Sequence, residues 1–147
     1  MLTEDFKYDQ LADLQIIPKV PRKKGSKPYL DIVTAFDIET TRLPEIEQSV
    51  MYIWQFQYGL NQTVTGRTWE DFFQFLEHIV ERIKGVAWLV VYVHNLSYEF
   101  QFLKGLYDFQ ADEVFATDSR KVLKCTMFDC IEFRCSYYLT NMPLAKF

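Results

Sequence analysis

Three cysteines, five glycines and five prolines are all that this 147-residue chain holds of the residues that staple or interrupt a fold. Cys125, Cys130 and Cys135 form no C-x-x-C pair and have no fourth partner, which argues against a disulfide framework. His78 and His94 stand at no finger-like distance from them, so a zinc site is not indicated. The thiols read as reduced side chains packed in a hairpin. Long apolar runs are missing as well, and nothing approaches the roughly 20 residues of a bilayer-spanning helix. Net charge is small, formally -4, which argues against non-specific coating of nucleic acid but leaves room for a local basic strip. Met1 to Asp13 carries too much charge for a signal peptide, so the expected location is the cytoplasm.

What the chain does have is apolar and aromatic residues, 49% and 17% of the total, enough for one domain with a real core. Residues 1–30 read as an arm followed by a basic, Pro- and Gly-containing loop, Lys19 to Lys27. Such a block is either solvated surface or a phosphate-contacting loop. Residues 31–147 read as the folded domain. Ile32 to Phe36 predicts a buried strand, followed by a loop through Pro44. Val50 to Leu60 and Thr63 to Arg67 predict a hairpin, completing an antiparallel meander. Thr68 reads as the N-cap of an amphipathic helix that Gly85 stops. Trp88 to Val93 is a continuous apolar run, as expected of a central strand covered on both faces. A second helix is expected from Ser97, and strands at 114–116, 121–128 and 130–138, with a turn at Asp118-Ser119. The order β-β-β-α-β-α-β-β-β implies an α/β fold with a mixed sheet and packed helices.

Within this frame two carboxylates, Asp37 and Glu39, follow the first apolar strand. Side chains alternate along a strand, so both point the same way. Paired like charges beside a buried strand call for a cation, and a divalent metal is the simplest. The same pattern also fits a strand end whose acids reach water. The junction His94-Asn95-Leu96-Ser97-Tyr98-Glu99 puts a further acid at the start of a helix, after a strand end where open α/β sheets bind ligands. Alone, Glu99 reads as an acid favouring the helix dipole. Together, Asp37, Glu39 and Glu99 form a hard oxygen donor set suited to Mg2+ or Mn2+.

Asp37-Ile38-Glu39-Thr40 after an apolar strand resembles the first exonuclease motif of family B DNA polymerases, of the ribonuclease H-like superfamily. His94 to Glu99 resembles the second, and the match is nearest to the protein-primed polymerases of phages and linear plasmids. Ile131 to Tyr137, continued by Pro143-Leu144-Ala145-Lys146, resembles the strand leading into the single-strand-binding motif. The resemblance implies a ribonuclease H-like mixed sheet with flanking helices and a C-terminal β-hairpin. It implies metal-dependent 3′–5′ removal of nucleotides from single-stranded DNA, with Asp37, Glu39 and Glu99 as metal-holding catalytic acids. Thr40, Asn95, Tyr98, Ser136 and Tyr137 fall at positions that hold the single strand.

Departures from the pattern are specific. The family carries Asp where this chain has Glu99, and often Asp where it has Cys135. The third exonuclease motif and the polymerase palm motifs do not occur before Phe147. The resemblance therefore implies a truncated exonuclease-like domain and a poor enzyme. The alternative is a catalytically inactive module that binds single-stranded DNA or a protein partner, for instance a phage inhibitor of a host defence factor. No membrane role is expected. His94 reads as a strand-end residue hydrogen-bonded in place, and His78 as surface.

Overall fold

The computed structural model describes residues 28–30, 32–59, 62–117 and 121–136. The N-terminal arm, the basic loop, the Asp118-Ser119 turn, Tyr137 and the stretch Pro143 to Lys146 lie outside the described residues. Seven strands, β1 (Thr34–Leu43), β2 (Gln48–Tyr58), β3 (Gln62–Gly66), β4 (Leu89–Val93), β5 (Val114–Ala116), β6 (Val122–Met127) and β7 (Ile131–Cys135), form one sheet. Helix α1 (Trp69–Ile83) precedes β4, and α2 (Leu96–Leu103) follows it. The spatial order is β3-β2-β1-β4-β7-β6-β5. The first three strands form the expected antiparallel meander. β4 runs parallel to both β1 and β7, and β5-β6-β7 form a second antiparallel set. This is a mixed α/β sheet of ribonuclease H-like type.

The core lies between the sheet and both helices. Phe36 of β1 stacks on Phe72 of α1 and meets Phe133 of β7 edge-on, at centroid distances of 4.5 and 6.0 Å. Trp54 and Phe56 of β2 pack on Phe75. The Trp54 indole N–H donates to the carbonyl of Thr68, tying β2 to the start of α1. Its ring lies so close over Gly66 that a Cβ there would sit 2.4 Å from it. The Thr68 hydroxyl caps α1 by accepting from the Asp71 N–H, and Gly85, at φ 82°, turns the chain out of the helix. Trp69 of α1 stacks on Phe102 of α2, so the two helices share one face of the sheet. All three cysteines are buried and free, and burial pushes the Cys125 thiol up to about 12 and Cys130 up to about 11.

Three sequence expectations need correction. β1 does not stop at Phe36 but continues to Leu43, because pairing with β2 from Thr40↔Met51 to Leu43↔Gln48 satisfies its backbone. Asp37 and Glu39 therefore stand within a strand rather than at its end. β4 is the central strand, yet only Leu89, Val91 and Val93 are buried, while Val90 and Tyr92 are half-buried. Both helices lie on the face of the three buried residues, and the opposite face is only partly covered, by Tyr29 lying over Glu132 and Arg134 of the neighbouring β7. Helix α2 starts at Leu96, not Ser97; the Ser97 hydroxyl accepts instead from the Val122 N–H at 2.8 Å and anchors β6.

Candidate nucleic-acid and metal site

Alternation along β1 sends Phe36 and Ile38 to the helix-covered face and Asp37 and Glu39 to the open one. β1 is paired with β4 at Ala35↔Tyr92. The register between β1 and β2 then breaks at Glu39/Thr40, with Glu39 opposite Ile53, Thr40 opposite Met51, and Tyr52 the extra residue. Such a bulge bends the strand and re-aims the side chains beside it. Next to this break Thr40 meets α2, where its Oγ1 lies 2.6 Å from the Tyr98 hydroxyl. Tyr98 keeps an exposed ring edge-on to Phe102.

Glu99 occupies the first turn of α2, 3% exposed. Burial, and then the charge of Asp37, push its carboxyl up to about 8. Asp37 is raised as well, first by partial loss of water and then by the charge of Glu39; the ring of His94 works in the opposite direction. Among the described residues, Glu99 Oε2 is buried without a hydrogen-bond partner. The interaction between the two carboxyls pulls their titrations apart, lowering Asp37 and raising Glu99. Two interacting acids, one almost fully buried, with a third whose charge reaches Asp37, are the kind of donor set a divalent cation neutralises. Among the described residues, no group of three or more His, Cys, Asp or Glu side chains is gathered closely enough to hold a metal as it stands.

The remaining predicted residues flank this pair. Asn95 is exposed and left-handed, at φ 60° and ψ 61°, and its side chain makes no cap to α2. Ser136, one residue past the end of β7, lies 3.2 Å from Nδ1 of His94, one residue past the end of β4. His94 thus joins Ser136 to the surroundings of Asp37, whereas sequence alone makes it only a strand-end residue held in place. The bulge residue Tyr52, half exposed beside Glu39 and Thr40, is missed by sequence reasoning, and no local signal marks it. Cys135 is buried and accepts a hydrogen bond from the Leu96 N–H through its sulfur.

No family model and no curated protein sequence matches the chain. Among solved structures, it is similar to Phi29 DNA polymerase complexed with primer-template DNA, with a TM-score of 0.54 over 78% of this chain. The chain has a polymerase-related fold. It spans 22% of the length of that polymerase, and at 12% identity the likeness carries the fold alone. On this polymerase-related sheet, Asp37, His94 and Ser136 lie along the end of the open face. The Thr40–Tyr98 bond closes the gap between β1 and α2.

Proposed function

We propose that the chain forms part of a 3′–5′ exonuclease domain of the protein-primed family B polymerase type. In this reading it holds the 3′ end of single-stranded DNA over Asp37, Glu39 and Glu99. The observation that carries it is the coupled Asp37–Glu99 pair beside the Thr40–Tyr98 bond. The DNA bound to the similar polymerase supports nucleic acid as the ligand class. Thr40, Asn95, Tyr98 and Ser136 contact the strand, with the Tyr98 ring available for stacking and Asn95 offering its side-chain amide. Asp37 and Glu99, with Glu39, would hold Mg2+ or Mn2+, which supplies charge stabilisation at the scissile phosphate and a more acidic water. The acids themselves orient and neutralise.

A second reading is favoured by one observation. The acids of the described residues do not assemble a complete metal-holding group; in this reading the domain would grip single-stranded DNA or a protein partner without cutting. Binding of a 3′-labelled single-stranded oligonucleotide with and without Mn2+ tests both. Mn2+-enhanced binding that is lost in Asp37→Asn and Tyr98→Ala supports the exonuclease-type site. Binding indifferent to Mn2+ and to Asp37→Asn supports the second reading. Absence of binding at low salt removes nucleic acid from the account.

A further inference from the structure

The face of the sheet opposite the helices carries a row of side chains in register across four adjacent strands. Tyr92 of β4 pairs with Arg134 of β7, Arg134 with Lys124 of β6, and Lys124 with Phe115 of β5. Cross-strand partners project from the same face, so the row reads ring, cation, cation, ring. Three inter-strand spacings make it roughly 14 Å long. We propose that this row is a second contact surface for single-stranded nucleic acid, distinct from the 3′-end site and leading toward it.

Exposure, charge and position each support this. Phe115 is 60% exposed, which a core residue or a plain solvated strand would not require. Arg134 is presented rather than loose. Its Nε and Nη2 donate to the buried Glu132 carboxylate, Nη2 also donates to the Tyr29 hydroxyl, and the guanidinium lies 5.3 Å from the Tyr29 ring centre. Among the described residues Nη1 has no acceptor, and it remains for a phosphate oxygen. Glu132, the acid within this patch, is thus engaged by Arg134, and Lys124 adds a further cation on the neighbouring strand. Rings and cations interleaved on a sheet suit unstacked bases and a phosphate backbone, and a four-stranded sheet with aromatics can stack two or three bases. A step of two residues along β4 and β7 leads from Tyr92 and Arg134 to His94 and Ser136, beside Asp37. A strand lying on the row therefore runs into the site. The proposal takes its ligand class from the function proposed above but stands on different residues.

The test uses fluorescence anisotropy of the full chain with short (about 4-nucleotide) and long (about 20-nucleotide) thymidine oligomers. Phe115→Ala/Lys124→Ala should weaken the long oligomer about tenfold or more and leave the short one unchanged. The salt dependence of the long oligomer should flatten by roughly 0.7 in logarithmic slope, because one fewer phosphate is neutralised. Phe115→Leu keeps apolar area without a ring and should also lose affinity. Tyr98→Ala should weaken the short oligomer. If the sheet variants bind the long oligomer like the unaltered chain while Tyr98→Ala weakens the short one, this inference fails and the 3′-end site stands. If Tyr98→Ala changes nothing while the sheet variants weaken the long oligomer, the row stands and the 3′-end site fails. Equal affinity for duplex overturns the row, since paired bases offer no free faces. So does a sedimentation shift showing that the variants break a dimer without changing oligonucleotide binding. Absence of binding by either oligomer at low salt overturns both.

Discussion

Thr40 Oγ1 and the Tyr98 hydroxyl stand 2.6 Å apart, joining the strand that carries Asp37 to the helix turn that carries Glu99. Each hydroxyl is removable without changing size. Thr40→Val and Tyr98→Phe should each cost about 0.5–1.5 kcal/mol in urea unfolding. The double variant should cost less than their sum, because the two changes remove one bond. Full additivity would mean the bond contributes nothing to the union of strand and helix.

The raised carboxyls make stability depend on pH. Glu99 in the folded chain is pushed up to about 8 from an ordinary 4.5, and Asp37 is raised too. A raised acid favours the fold fully below its unfolded value, and that contribution is lost as pH rises through the folded value. Stability should therefore decline between about pH 4.5 and 8 and level off above. Glu99→Gln removes the ionisable group. Its melting temperature should match the unaltered chain near pH 4 and exceed it by roughly 5–10 °C at pH 9. A gap that is constant with pH would show that Glu99 ionises in the fold as easily as in water.

Mn2+ should raise the melting temperature in a concentration-dependent way, by the equivalent of about 2.7 kcal/mol at a hundredfold excess over the dissociation constant. Asp37→Asn should abolish the shift. Cleavage by the 147-residue chain should nevertheless be slow. In-line hydrolysis needs both ions fixed at the attacking and leaving oxygens, and loosely held ions lose that preorganisation. Rapid 3′ trimming that disappears with Asp37→Asn would show a more complete site than the described residues present.

Asn95 separates backbone demand from recognition. At φ 60° a residue with a Cβ is strained, and glycine is not. Asn95→Gly should keep or slightly raise stability, whereas Asn95→Ala should lose about 1 kcal/mol. If the side chain contacts the strand, both variants weaken single-strand binding alike. Binding that tracks stability instead would give Asn95 a backbone role only.

The fold was legible where period and capping agree. The apolar face of α1, its Thr68 cap and its Gly85 stop could all be read along the chain, as could the order of strands. What could not be read were facts of pairing. Thr40 and Thr41 look like loop residues until β2 supplies hydrogen bonds, and the break that sets Tyr52 apart exists only between two strands. Nothing in Trp88 to Val93 reveals that both helices will choose one side. At the site, Asp37, Glu39 and Glu99 were visible as residue types. The burial of Glu99 and its coupling to Asp37 depend on where α2 settles. The four-residue row behind the proposed second surface draws one side chain from each of four strands, so no local window contains it.

The central strand β4 has β1 on one side and β7 on the other, and β7 is the last in sequence of the strands among the described residues. Both partnerships are remote along the chain, so closing them costs loop entropy before either yields burial. During synthesis, α1 and the β1–β3 meander can form early, but β4 then keeps a bare edge until β7 has been made. A nascent chain halted before Ile131 exposes that edge to pairing with other chains. Folding should thus be slow and late for a domain of this size, with the docking of β7 as the step that commits it.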